Sequence, residues 1–328
     1  MSLPPKLTAL AAAQGGPFTT AQALAAGYDD REIHRFTRSG EWVRLRRGVY
    51  AEAWLVPTDP TSRHVLQLRA VLLALQHAPA ASHVTSAALH GIALLDPDYS
   101  LVHVTRENAG SSRTGGGVRH HDASLPESHL TKLDDVLATS AARTVVDLAR
   151  ILGFDAAVVA AESALNKEFT NRPELCEVLA YCVDWPGAKA AGRVVSIASP
   201  YSESPGESIG RIAFDALGIP QPDQQVLLYD EAGFIGRCDY YWKAHHTVGE
   251  FDGRLKYVGD NVPDDVLAKE KAREDRLRRA GAEVVRYGWA ESRAKSPSMR
   301  RKTFDAFKRA ADRPSPRSLR YELPPERA

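Results

Sequence analysis

Between Glu207 and Tyr287 the hydrophobic period and the turn residues predict a single order of elements. Glu207 to Leu217 has helical spacing and stops at Gly218. Gln225 to Tyr229, Ile235 to Trp242 and His246 to Phe251 read as strands, separated by Glu231-Ala232-Gly233 and Lys243-Ala244-His245. Ala268 to Arg279 reads as a second helix ended by Gly281, and Glu283 to Tyr287 as a last strand. The order is α-β-β-β-α-β. One acid falls on the first helix (Glu207), one on the second strand (Asp239) and one at the end of the third (Glu250). Carboxylates on neighbouring strands can converge on one divalent cation, and the helix carboxylate can reach the same ion. A hard ion such as Mg²⁺, or Mn²⁺, takes oxygen ligands and keeps waters. One such water, made more acidic, can attack phosphorus.

Charge is distributed unevenly along the 328 residues. The 42 Lys and Arg nearly balance 41 Asp and Glu, a formal charge of +1 that excludes a wholly basic, histone-like protein. Yet residues 31 to 47 hold six arginines against Glu32 and Glu41, and the chain after residue 292 is also strongly basic. The first cluster lies in a distinctive pattern. Leu7 to Gln14 is an alanine-rich helix ended by Gly15-Gly16. Thr19 and Thr20 are N-cap candidates for a helix over Ala21 to Ala26, stopped by Gly27. Asp29 or Asp30 caps a third helix, Arg31 to Arg38. Ile33 and Phe36 mark its buried face, and Arg31, Arg35 and Arg38 lie on another. Trp42 to Arg46 then alternates apolar and basic residues, Arg47-Gly48 turns, and Val49 to Ala51 returns. Helix, helix, basic helix and basic hairpin make a winged helix-turn-helix. Its third helix is expected in the major groove of double-stranded DNA, with Arg31, Arg35 and Arg38 on it. The wing arginines Arg44, Arg46 and Arg47 are expected on phosphates.

Two resemblances follow. Phe18-Thr19-Thr20-Ala21-Gln22-Ala23 with Gly27, then Arg44-Leu45-Arg46-Arg47-Gly48-Val49-Tyr50, resemble the N-terminal domain of the abortive-infection type IV antitoxins (AbiEi-like). That resemblance implies DNA binding, transcriptional autoregulation and a toxin protein as partner. It covers about the first fifth of the chain. Ser204-Pro205-Gly206-Glu207-Ser208, Arg237-Cys238-Asp239-Tyr240, Val248 to Gly253 with Lys256-Tyr257, and Glu270 to Leu277 resemble the very-short-patch-repair-like branch of the PD-(D/E)XK endonucleases. Gly281, Val285, Arg286 and Trp289 continue that resemblance. It implies that Glu207, Asp239 and Glu250 hold the metal. The superfamily's lysine two residues after the last acid is replaced here by Asp252, a further ligand in this branch. The missing cation is then expected from Lys256 or Lys271.

The remaining signals are plainer. The middle of the chain reads as mixed helix and strand, with helices from Arg63 and from Ser82, strands at 101–105, 118–121 and 136–139, and a helix capped by Ser140. Adjacent His120 and His121 would point to opposite faces of a strand, a poor metal pair, so ordinary histidines are expected. Cys176, Cys182 and Cys238 are too few and scattered for a disulfide framework or zinc site, and Cys176 and Cys182 are expected to be buried. The tail after Arg313 reads as disordered. No stretch reaches the ~20 apolar residues of a membrane span, and no signal peptide is read at the start, so a cytoplasmic protein is expected. The fold class expected is an α/β multidomain (α+β) chain. Residues 1–56 form the winged helix, 57–199 a mixed domain, 200–292 the nuclease-like core and 293–328 a basic tail. The function expected is a DNA-binding protein of defence or toxin–antitoxin type with a Mg-dependent endonuclease domain. The alternative is a non-enzymatic regulator whose nuclease-like domain only binds DNA or a partner. Regulators that read paired half-sites are dimers, so a homodimer is the expected assembly.

Overall fold

Short polar side chains set where the first helices begin. In the computed structural model, which describes residues 5–75, 79–107, 110–253, 264–313 and 318–327, α1 spans Pro5–Ala13, β1 Phe18–Thr19 and α2 Thr20–Ala25. Thr19 caps α2 through a capping box with Gln22, and Asp29 caps α3 (Asp30–Ser39) through one with Glu32. Each box satisfies two backbone N–H groups that a helix start leaves without partners. Gly40 ends α3 with φ +79°, a left-handed conformation that glycine adopts without a side-chain clash. Strands β2 (Trp42–Arg46) and β3 (Val49–Glu52) form the wing, and the sheet order is β1-β3-β2. Trp42 ties wing to helix. It stacks on Phe36 at 5.1 Å and meets Phe18 and Tyr28 edge-on at 4.7 and 5.0 Å. The N-terminal segment is therefore a winged helix, with β1 an addition that two residues were too short to announce.

The next elements are α4 (Pro60–Leu73), β4 (Ala80–Ala81), α5 (His83–His90), β5 (Val102–Arg106), β6 (Arg113–Gly115), β7 (Val118–Asp122), β8 (Leu130–Leu133), β9 (Val136–Thr139) and α6 (Ala141–Ile151). The strands form one mixed sheet of order β6-β7-β5-β4-β9-β8. Its core is aliphatic: Leu68, Val71, Val102, Val104, Val118, Val136 and Ala138. Then come α7 (Phe154–Asn166), α8 (Arg172–Tyr181) and α9 (Ala188–Ile197). Cys182 is buried but Cys176 is exposed, against expectation. Six residues on from Cys176 is 600°, or 240° around a helix, so the two thiols face different ways.

The chain divides into two compact units, residues 1–153 with 173–193, and residues 154–172 with 194–328. The second contains α10 (Pro205–Ala216), β10 (Asp223–Asp230), β11 (Gly233–Trp242), β12 (Thr247–Phe251), α11 (Asp264–Arg279), β13 (Glu283–Tyr287), α12 (Trp289–Arg293), α13 (Pro297–Ala311) and β14 (Arg320–Glu322). From α10 to β13 the order is α-β-β-β-α-β. The sheet runs β13-β12-β11-β10-β14, with β12 and β13 parallel and the other pairs antiparallel. Phe214 of α10 and Met299 and Phe307 of α13 pack with Tyr240, Trp242 and Tyr287. Leu277 of α11 packs with Val226, Leu228 and Val248 in a separate cluster. The tail corrects an expectation: Arg320–Glu322 is a strand on the edge of this sheet, with Tyr321 opposite Leu228 and half-buried against the core.

Candidate DNA-binding face and carboxylate site

Helix α3 presents Arg31, Arg35 and Arg38 to solvent, opposite the buried Ile33 and Phe36. Arg44 and Arg47 on the wing are exposed as well. Arg46 is different. The β2–β3 pairing shifts register between Arg44 and Arg46, so strict alternation fails there. Arg46 turns inward, its Nη1 buried without a hydrogen-bond partner. It lines a cavity of about 430 Å³ with Arg63, His64, Tyr99, Gly116 and Gly117. A bulge is invisible to period-two reading, which grouped Arg46 with Arg44.

The second unit brings together the acids that sequence reading scattered over three elements. In the β11–β12 ladder Tyr240 faces Gly249 and Tyr241 faces Val248. Asp239 lies two residues before Tyr241 and Glu250 two after Val248, so both carboxylates fall on one side of the sheet. The Phe251 N–H donates to Asp239 Oδ2 at 2.7 Å. Glu207, in the first turn of α10, is buried. It accepts from Ser204 Oγ (2.7 Å), the Glu203 N–H (2.9 Å) and Gln225 Nε2 (2.8 Å). Gln225 faces the gap that the β10–β11 pairing leaves opposite Asp239, and has φ +55°. Loss of water raises all three carboxyls, those of Glu207 and Glu250 to about 7. The Asp239 charge pushes both glutamates further in the same direction.

The cation at this site is one the sequence did not single out. Arg273 Nη2 donates to Glu250 Oε1 at 2.8 Å and to the Arg237 carbonyl at 2.7 Å. Lys271, two residues earlier, is exposed. Two helical residues are 200° apart, so a sheet-facing Arg273 sends Lys271 to the opposite side of α11. Lys256 lies outside the described residues. Asp252 donates its backbone N–H to the Tyr287 carbonyl at 2.7 Å, and its side chain is half-buried at the end of β12.

The donor set is all oxygen, which suits Mg²⁺ or Mn²⁺. Asp239 and Glu250 fit that role, since the protein engages one oxygen of each and two carboxylates are what such an ion commonly takes. Glu207 fits it less well, because three donors already hold its two oxygens.

The family model of the transcriptional regulator AbiEi antitoxins matches residues 5–53, the winged helix. Two similar proteins of Mycobacterium tuberculosis, the uncharacterized proteins MT2308 and Rv2248, are each 26% identical over 202 residues, 61% of this chain and 71% of theirs. The crystal structure of the RV2827C protein from the same organism is 16% identical with a TM-score of 0.42. It covers 62% of this chain and 78% of that one, a likeness too slight to extend the comparison. Among the described residues no helix is long and apolar enough to cross a membrane.

Proposed function

We propose that this protein is a DNA-binding transcriptional regulator of the antitoxin type. Its winged helix binds duplex DNA through α3 and the wing. The observation that carries this reading is the row of five exposed arginines, Arg31, Arg35, Arg38, Arg44 and Arg47, on the one segment that the regulator family model matches. Long cations reach phosphates, and a helix fits the major groove. A toxin partner and a homodimer belong to the same reading. Measuring duplex affinity across a salt series tests it. Arg44→Ala/Arg47→Ala should weaken binding and flatten the dependence of log K on log salt by about two phosphate contacts' worth. Arg46→Ala should leave that slope unchanged, because its guanidinium faces a cavity. An unchanged slope in the Arg44/Arg47 variant refutes the wing assignment.

A second activity is favoured by Asp239 and Glu250 sharing one side of the sheet, with the Asp239 charge acting on both Glu250 and Glu207. In this reading the second unit is a metal-dependent phosphodiesterase acting on DNA. Asp239 and Glu250 would hold Mg²⁺ or Mn²⁺. The bound metal supplies an acidified water and stabilises charge on phosphate oxygens. Glu207 anchors the start of α10 against Gln225, and Arg273 steadies Glu250 and offers a cation toward phosphate. Plasmid DNA incubated with metal or with EDTA tests this. Metal-dependent nicking that Glu250→Ala abolishes supports it, and no nicking, or nicking unaffected by Glu250→Ala, leaves the regulator reading alone.

A further inference from the structure

The first unit gathers three histidines that lie far apart in sequence. Strands β5 and β7 are parallel, with His103 opposite Arg119 and Thr105 opposite His121. Residues two apart on a strand, and those opposite each other, share a face. His103, Thr105 and His121 therefore point the same way, and His120 points the other way. Strand β4 lies on the other edge of β5, and the Ser82 N–H donates to the His103 carbonyl at 3.0 Å. That bond delivers His83, the first residue of α5, to the same face. His83 is 4% exposed and has φ +50°, a backbone region unusual for a residue with a side chain.

Each of the three imidazoles offers a ring nitrogen, and these nitrogens all lie within 4.8 Å of one another. Among the described residues the acids of the second unit form no group of this kind. His121 Nε2 and His103 Nδ1 share a hydrogen bond at 3.1 Å, whose proton a bound ion would displace. In a tetrahedral zinc site with Zn–N of about 2.0–2.1 Å, neighbouring nitrogens are about 3.3 Å apart, so this pair already has the right spacing. The third ligand needs a small adjustment. His83 stacks on His121 with centroids 3.8 Å apart and an interplanar angle of 17°, and stacked rings aim their lone pairs side by side. Rotation of the His83 ring about χ2 is the movement that would bring its lone pair onto the same ion. Ser82 Oγ holds His83 Nδ1 at 3.0 Å, the outer-shell contact that fixes a ligand histidine's tautomer. Burial keeps all three rings in the neutral form that binds metal.

His83 and His121 line a cavity of about 740 Å³ together with Thr105, whose buried hydroxyl has no hydrogen-bond partner. An unpartnered hydroxyl beside two converging imidazoles is placed to meet a water or other donor on a bound ion.

We propose that His83, His103 and His121 form a site for a divalent transition metal of the zinc class, with its fourth coordination position open to this cavity beside Thr105. The site shares no residue with the carboxylate cluster or with the DNA-binding face. Three neutral nitrogen ligands suit zinc or cobalt, whereas magnesium prefers oxygen.

The test uses the full chain, stripped of metal with a chelator, exchanged into buffer and titrated with Zn²⁺ by calorimetry and with Co²⁺ by visible absorption. The expected result is one Zn²⁺ per chain at this site and tetrahedral Co²⁺ bands. Both should survive Glu250→Gln and His120→Gln. His103→Gln/His121→Gln should weaken binding at least about tenfold, with the far-ultraviolet circular dichroism unchanged. X-ray absorption of the zinc-loaded parent protein needs no variant and should show imidazole scattering from three histidines. Absence of Zn²⁺ binding, equal binding by the double variant, or an oxygen-dominated shell would overturn the proposal.

Discussion

Replacing Asp147 with Asn should destabilise the first unit by about 3–5 kcal/mol, the usual loss when one partner of a buried ion pair is removed. Asp147 and Arg143 on α6 each have side chains 1% exposed, and Arg143 Nε donates to Asp147 Oδ2 at 2.8 Å. The other carboxylate oxygen takes Arg150 Nη1 at 2.9 Å. One acid thus serves two guanidinium groups, which lie 4.7 and 4.8 Å from the Trp185 ring centroid. Arg143 also donates to the Ser124 carbonyl at 3.1 Å and meets His129 Nδ1 at 3.0 Å. Those neutral contacts would remain in the variant, but its charge would be buried without a counter-ion. Against a whole-domain stability of about 5–15 kcal/mol, such a loss is a large fraction. Urea unfolding, with amide hydrogen exchange along α6 as the local reading, measures it. Arg143→Met/Asp147→Leu should recover most of the loss, because well-packed apolar side chains can replace a buried pair at little net change. A loss below about 1 kcal/mol for Asp147→Asn, or strict additivity in the double variant, would refute the claim that Asp147 neutralises Arg143.

Three other perturbations have definite signs. A Cβ on Gly210 would sit 2.5 Å from Tyr240 Oη, the donor to the Glu207 carbonyl. Gly210→Ala should therefore lose about 1–3 kcal/mol in thermal unfolding, despite the ~1 kcal/mol alanine gains over glycine in a helix; a stabilised variant contradicts the packing. Asp29→Ala removes the cap of α3 and should cost about 1 kcal/mol, read as a lower urea midpoint for the winged helix, and an unchanged midpoint denies the cap its role. In EDTA the two units should respond oppositely to pH. Glu207 and Glu250 keep their protons to about 7 when folded, so their contribution is complete below the unfolded value near 4.5 and fades as pH rises through 7. His64 in the first unit is held at about 4 by burial, so its contribution is lost as pH falls from 6.5 through 4. Differential calorimetry from pH 4 to 8 checks both, and Glu207→Gln/Glu250→Gln should reduce the slope of the second unit, leaving the part due to Asp239, whose carboxyl burial also raises. A second unit that instead gains stability toward alkaline pH contradicts the carboxylate assignment.

Much of the site was legible because its signals are local. A helix cap is a local signal, so Thr19-Thr20 and Asp29-Asp30 announced α2 and α3, and the structure assigns the caps to Thr19 and Asp29. The acids Glu207, Asp239 and Glu250 were placed on their elements by turn residues a few positions away. What failed was of two kinds. Arg46 was misplaced because a single bulge reverses every later side chain on a strand, and no residue type marks it. Lys271 was preferred over Arg273 because which face of a charge-rich helix meets the sheet depends on the partner, and α11 has ionic residues all round.

The sequence by itself determined the winged helix and the α-β-β-β-α-β order, because caps, glycines and hydrophobic period act over a few residues and need no distant partner. It also determined which residue types could do chemistry. Only the tertiary structure decided which of them meet. His83, His103 and His121 converge because β4 and β7 flank β5 in the sheet, an arrangement set by strand pairing between segments tens of residues apart. His120, the neighbour that drew attention in the sequence, is turned away by the same pleat that aims His121 at the cavity.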